Sequence, residues 1–160
     1  MRIALGSDER SPLTDFVEAE LRRRGHDVQL FGPPAGAPSP WPEVAEAVAE
    51  RVAKGKSDEG VLFCWTGTGV SIAANKVPGV RAALCADAET ARGARAWNHA
   101  NVLCMSLAGT SEEAANGILD AWFSAEADAG EEENVEKVNA LDRRYRAHPA
   151  AANAEKGRDD

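Results

Sequence analysis

Along this chain, short solid apolar runs alternate with longer stretches of helical period. Arg2–Gly6 is an apolar run closed by glycine and predicts a first strand. At Ser11-Pro12 the pattern changes, with serine suited to an N-cap and proline to the first helical position. Leu13, Phe16, Val17 and Leu21 follow at helical spacing, and Gly25 takes the C′ place. Asp27–Phe31 predicts a second strand. Gly32–Pro42 holds five of the eight prolines and predicts a loop. Val44, Ala45, Val48, Ala49 and Val52 then trace one face of a helix stopped by Gly55. Gly60–Trp65 predicts a third strand, apolar without alternation, as where both sheet faces are covered. Val80–Ala86 and Val102–Ser106 predict two more, separated by the helix-like Ala88–Trp97. Thr110-Ser111-Glu112-Glu113 reads as a capping box opening a helix to about Ser124, and a last helix is expected over Glu131–Arg146.

Five strands alternating with helices across short loops predict an α/β fold, Rossmann-like, with three α/β/α layers on a five-stranded parallel sheet. Residues 1–147 read as one domain, and the Ala-rich polar stretch 148–160 as a disordered tail. Ligands bind such sheets beyond the carboxyl ends of the strands. That directs attention to Asp8, Cys64–Ser71 and Trp97–Asn101.

Composition narrows the function. With 18 Lys+Arg against 26 Asp+Glu, the net charge of −8 argues against nucleic-acid and anionic-membrane partners, which need a basic footprint. No apolar run approaches the ~18 residues of a membrane span, and MRIALGSDER lacks a signal-peptide pattern. Three cysteines without CxxC or Cys/His spacing argue against a disulfide scaffold or zinc site and predict a reducing, cytoplasmic setting. The charge is uneven: six acids and no base lie between Ser124 and Glu136, accounting for all but two of the net negative charges. Such a run is most simply a solvated helix end.

The chemistry concentrates after the third strand. In Cys64-Trp65-Thr66-Gly67-Thr68-Gly69-Val70-Ser71 the glycines allow a tight turn into a predicted helix, Ser71–Lys76, so that amide N–H groups at its start can face an anion. A thiol beside such positive potential is suited to act as base or nucleophile. The spacing is neither GxxxxGK[ST] nor GxGxxG. A cysteine on a buried strand is also a common core residue, so both readings stand at this point.

The string Gly60-Val61-Leu62-Phe63-Cys64, Thr66-Gly67-Thr68-Gly69, Ser71-Ile72-Ala73-Ala74-Asn75-Lys76 resembles the ribose-5-phosphate isomerase B / galactose-6-phosphate isomerase family. Gly6-Ser7-Asp8, Val80-Arg81-Ala82, Asn98, Asn101-Val102-Leu103 and Asp120-Ala121-Trp122 continue the resemblance in order over residues 1–145. It implies aldose–ketose isomerisation through a cis-enediolate, with no metal or organic cofactor. Cys64 matches the cysteine that moves the proton, Thr66 the assisting hydroxyl, and Asp8 and Asn98 residues that bind sugar hydroxyls. Amides of Gly67, Thr68, Gly69, Val70 and Ser71 would stabilise the enediolate. The resemblance further implies a homodimer, possibly a tetramer, with the active site at the subunit interface. Val135, Val138 and Leu141 offer an apolar stripe for docking or for packing on the chain's own core.

The departures carry information. The family's Asp-His is here Asp8-Glu9, and its ring-opening histidine aligns with Trp97, although His99 lies two positions on. Glu9 reads either as a helix cap or as a source of the missing acid–base function, and His99 as a loop residue or a substitute ring-opener. The glycine after the catalytic cysteine is Trp65, and Asp-Tyr-Pro is Pro40-Trp41-Pro42. Trp41, Trp65 and Trp97 all fall at expected pocket positions, where they either fill a cleft or stack on and narrow the site for a small sugar. A family arginine falls on Ala108, and an Arg-His-x-x-Arg phosphate clamp falls on Gly130-Glu131-Glu132-Glu133-Asn134. Three functions fit. The preferred one is an isomerase of a non-phosphorylated or atypical small-molecule sugar, already open-chain. The alternatives are a conventional pentose- or hexose-phosphate isomerase whose phosphate is met by Arg10, Arg92 or Arg95, and an inactive sugar-binding paralogue.

Overall fold

The computed structural model describes residues 1–146; the expected tail, 148–160, lies outside them. Five strands, β1 (Arg2–Ser7), β2 (Asp27–Phe31), β3 (Glu59–Cys64), β4 (Ala82–Leu84) and β5 (Val102–Ser106), form one parallel sheet in the order β2-β1-β3-β5-β4. Five helices cover it: α1 (Pro12–Arg23), α2 (Trp41–Ala53), α3 (Thr68–Ala74), α4 (Ala88–Asn98) and α5 (Glu112–Ser124). Strand side chains alternate between two cores. Ile3, Leu5, Val61, Phe63, Leu103 and Met105 pack under α1, α4 and α5. Ala4, Leu62, Cys64, Val102 and Cys104 pack under α2 and α3. Both faces are buried, which is why the strands read as solid apolar runs.

The chain divides into two units after Asp128, and the described part of the second is 129–146. In the second, a 3-10 turn at Ala129–Glu131 leads into α6 (Glu132–Arg146). Two of its glutamates are paired with cations, and a third accepts from a neutral amide. Glu133 pairs with Lys137 at 2.8 Å, Glu136 with Arg143, and Glu131 accepts from Asn134. That supports the solvated reading of the acidic run.

Several boundaries differ from the sequence expectation, each for a tertiary reason. The third strand begins at Glu59 and ends at Cys64, because its last register partner is Ser106. The fourth shrinks to three residues, the length that pairs with Val102–Cys104 of β5. Inside the expected loop, Pro33–Ala35 form a 3-10 turn and α2 already starts at Trp41, with Pro42 in its first turn where no N–H is needed. The helix of the glycine loop is Thr68–Ala74, not Ser71–Lys76. Ser111, not Thr110, caps α5, and Ala114 at its third position has no side chain to reciprocate.

Helix α1 carries the reciprocal cap instead. Thr14 N–H donates to Ser11 Oγ at 3.3 Å, and Ser11 N–H donates to Thr14 Oγ1 at 2.9 Å. Neither Asp8 nor Glu9 is needed there. Ser11→Ala is expected to cost about 1 kcal/mol of unfolding free energy in urea titration.

Candidate active site

The strand order turns back between β1 and β3, since β1 continues to β2 on one side and β3 to β5 on the other. The carboxyl ends of two such neighbours open a crevice. Ser7 lies opposite Phe63 in register, so the residues that follow, Asp8 and Cys64, face one another across it. A cleft of about 280 Å³ opens there, lined by Asp8, Trp41, Cys64, Trp65, Thr66, Thr68 and Gly69.

The loop after Cys64 is braced from the end of β5. The Cys64 carbonyl accepts from Leu107 N–H at 3.0 Å and Gly67 N–H at 3.2 Å. The Trp65 carbonyl accepts from Ser106 Oγ at 2.8 Å and Ala108 N–H at 3.0 Å. Ser106 was not foreseen as part of the site, since its bracing role has no local sequence signal. Gly67 turns the chain with φ at +75°, and a Cβ there would lie 2.5 Å from Leu84 Cδ1 and 2.9 Å from the Met105 carbonyl carbon. Gly67→Ala is therefore expected to destabilise by about 1–3 kcal/mol and to displace the loop, read as a lower Tm with lower turnover.

Chemistry separates the three thiols. Burial pushes Cys85 up to about 12, and it also raises Cys104, which lies deep in the sheet. Cys64 is only 5% exposed, yet it borders the cleft. Thr66 and Thr68 hydroxyls lie 2.7 Å apart on the cleft wall. Burial also raises the Asp8 carboxyl above its ordinary range, opposed by its own backbone hydrogen bond. That suits it to hold or release a proton.

Other expected site residues sit elsewhere. The Val70 side chain is core. Ser71 N–H already donates to the Gly67 carbonyl at 3.3 Å, and Gly67 N–H to Cys64, so neither end of the expected amide set is open. The first-turn amides of Thr68, Gly69 and Val70 belong to those a helix start leaves unpaired by its own backbone. Glu9 is exposed, its N–H donating to Ser7 Oγ.

Trp97 and Asn98 line a different cleft, of about 490 Å³, beside Leu84, Asp87 and Gly93. Within one subunit Trp41 and Trp65 line the Cys64 cleft and Trp97 the other, because α4 carries Trp97 to the β4 side of the sheet. His99 caps α4 in the left-handed conformation and its Nε2 lies 3.1 Å from the Asp128 carbonyl, as a hydrogen-bonded loop residue would.

This turn is tightly held. Arg81 donates to the carbonyls of Asn98 and His99, and Arg95 to that of Ala100. Arg95 also pairs with buried Glu59 at 2.7 Å, and Arg10 pairs with Asp15. Arg95 is thus committed to the interior, whereas the Arg10–Asp15 pair is exposed. Asn75 and Asn101 bond backbone groups of Ser71 and Ala82, and of Gly79 and Arg81. Among the described residues, no group of three or more His, Cys, Asp or Glu side chains is placed to hold a metal ion. No described helix is long and apolar enough to cross a membrane.

The family model described as Ribose/Galactose Isomerase matches residues 3–141. Ribose-5-phosphate isomerase B of Escherichia coli is 37% identical over 145 residues, covering 89% of this chain and 97% of that protein. D-erythrulose-4-phosphate isomerase 2 of Mycolicibacterium smegmatis is 40% identical over 147 residues, covering 88% and 95%. Among solved structures, ribose-5-phosphate isomerase B of Clostridium thermocellum superposes with a TM-score of 0.85 at 35% identity, covering 91% of this chain and 99% of that one.

Proposed function

The chain belongs to the ribose/galactose isomerase family, and from that premise we propose that it interconverts an aldose and a ketose phosphate with Cys64 as the base. One observation carries the reading: the Cys64 thiol borders a cleft whose other walls are the glycine loop, two hydroxyls and a carboxyl. The thiolate takes the proton from C2 of the aldose, and the C2–H electrons form the C1–C2 double bond as the carbonyl becomes an enediolate oxygen. The Cys64 thiol exchanges its proton with solvent while the enediolate persists and then delivers a proton to C1. The remaining proton passes from O2 to O1 through Thr66 and the Asp8 carboxyl, so atoms and charge balance without a second reactant. Amides of Thr68, Gly69 and Val70 face the developing oxyanion.

A homodimer with this cleft at the subunit interface belongs to the same reading. Trp97, Val138 and Leu141 are 58%, 49% and 48% exposed, more apolar side chain than an isolated subunit gains from leaving in water. Sedimentation velocity tests it, and a monomer at micromolar concentration would count against it.

A second reading, a non-phosphorylated or atypical sugar, is favoured by Ala108 and by Glu131, Glu132 and Glu133, which stand where the family resemblance implies arginines. The relatives support the phosphorylated class, since each of the three reported above is named for a phosphate ester. Incubation with phosphorylated and free sugars in deuterated buffer, followed by NMR, separates the two. Exchange at C1/C2 of phosphosugars alone upholds the first reading, exchange into free sugars alone upholds the second, and no exchange at all overturns both.

A further inference from the structure

Cys64 is the last residue of β3, and the chain just beyond it is held from the end of β5. Ser106 is its register partner, and strand alternation sends the Ser106 side chain to the face that carries Cys104 and Cys64. The hydroxyl stands in the middle of a short chain of bonds. It accepts from Gly109 N–H at 2.9 Å and donates its one proton to the Trp65 carbonyl at 2.8 Å. The Gly109 bond closes the turn that leaves β5, where Thr110 N–H also donates to the Ser106 carbonyl at 3.2 Å. The oxygen is thereby held in one place, and the peptide group it grips is the second beyond Cys64.

Further contacts seat the loop on the same strand end. Leu107 N–H donates to the Cys64 carbonyl, and Ala108 N–H is the second donor to the Trp65 carbonyl, each at 3.0 Å. Gly67 lies so close to the Met105 peptide that a Cβ would meet the Met105 carbonyl oxygen at 3.0 Å. Of the three hydrogen bonds that Ser106, Leu107 and Ala108 donate to this loop, only the one from Ser106 comes from a side chain. It can therefore be removed without altering the backbone. The Trp65 carbonyl then keeps Ala108 as its partner, so the loop stays folded and only its seat shifts.

Resting on the isomerase reading, we propose that Ser106 is a positioning residue for the reaction: through the Trp65 carbonyl it sets where the Cys64 thiol stands against C1 and C2 of the substrate. Ser106 lies outside the cleft lining and acts only through the peptide it holds. A base that serves two adjacent carbons must reach both, and a displacement of about 1 Å costs on the order of 100-fold in rate. The contribution of the hydroxyl therefore lies in kcat and not in substrate affinity.

The test compares the full-length parent with Ser106→Ala and Ser106→Thr on D-ribose 5-phosphate and D-erythrulose 4-phosphate. Circular dichroism melts confirm that each variant is folded. Ser106→Ala is expected to lower kcat about 10–100-fold on the phosphate that the parent turns over, with KM within about twofold. Ser106→Thr keeps the hydroxyl and is expected to stay within about threefold of the parent. A kcat within about twofold of the parent in Ser106→Ala would overturn the proposal, as would a loss carried by KM alone or equal losses in both variants. A second measurement is independent of turnover. Alkylation by iodoacetamide, mapped by mass spectrometry, is expected to be about tenfold faster at Cys64 in Ser106→Ala, because the loop that Ser106 seats also covers the thiol. Cys85 and Cys104, both fully buried, are the internal references. Faster alkylation confined to Cys64 supports the proposal; an unchanged rate, or a rise shared by all three thiols, overturns it. An unaffected Ser106→Ala beside an active parent sinks this inference alone, whereas a parent that exchanges deuterium into no sugar removes the isomerase reading beneath it.

Discussion

Cys64→Ala is expected to lower kcat/KM on the preferred sugar phosphate by about 10³–10⁴-fold while the protein stays folded. A positioned general base contributes roughly 10²–10⁴-fold. The upper part of that range applies because one thiol both removes the proton from C2 and delivers a proton to C1. Expressed as a barrier, the loss is about 4–5.5 kcal/mol. Alanine deletes one sulfur from the α2/α3 core, which costs on the order of 1 kcal/mol of stability. The Tm therefore moves little while deuterium exchange at C1/C2 stops. Cys85→Ala is the matched control: its thiol is held at about 12 by burial in the opposite core, and its removal leaves turnover unchanged. A Cys64→Ala protein that still exchanges at near the parent rate would remove the thiol from the mechanism.

The second large effect concerns stability and lies at the other end of the sheet. Glu59, at the start of β3, accepts from Trp122 Nε1 at 2.5 Å and pairs with Arg95 at 2.7 Å; the Arg95 guanidinium stands 5.1 Å over the Trp122 ring. These three side chains tie the sheet to α4 and α5. Glu59→Ala strands the indole N–H and a largely buried cation, and is expected to cost about 3–5 kcal/mol. The corresponding fall in Tm is on the order of 10 °C. Glu59→Gln keeps an acceptor for Trp122 and loses less.

Burial raises the Glu59 carboxyl above its ordinary 4.5, in spite of Arg95 and the Trp122 hydrogen bond. The native state thus holds this proton more tightly than the unfolded chain does. The stabilisation from that difference is whole below about pH 4.5 and is lost as pH rises through the raised native value. Parent stability relative to Glu59→Gln should accordingly decline across that window in urea titrations. Asp8 shifts in the same direction in both proteins and cancels in the difference. A difference independent of pH would show that the pair, and not the burial, governs the carboxyl.

The layers and the sheet were legible because their signals are local. Val61–Cys64 and Val102–Met105 are apolar at every position, as only strands covered on both faces require. The glycine loop was equally plain, because Cys64, Thr66, Gly67 and Gly69 are close in sequence and share one turn. Strand ends were less legible, since register with a distant strand sets them: β4 stops where Cys104 does. The cap of α5 was misjudged by one residue, since Thr110 and Ser111 are both good caps and only the path of the chain chooses between them.

The site divides along the same line. From residue order alone came the fold class, the thiol at the strand end and the turn that follows it, all consequences of neighbours within a few residues. The tertiary structure decided which of three tryptophans stand by that thiol within one subunit, which amides of the loop remain open, and which arginine is committed to the interior. Those are outcomes of packing between segments far apart in the chain. α4 carries Trp97 to its own cleft, the end of β5 braces Trp65, and Glu59 claims Arg95. Periodicity reports which face of an element is buried, and it holds no information about which other element buries it.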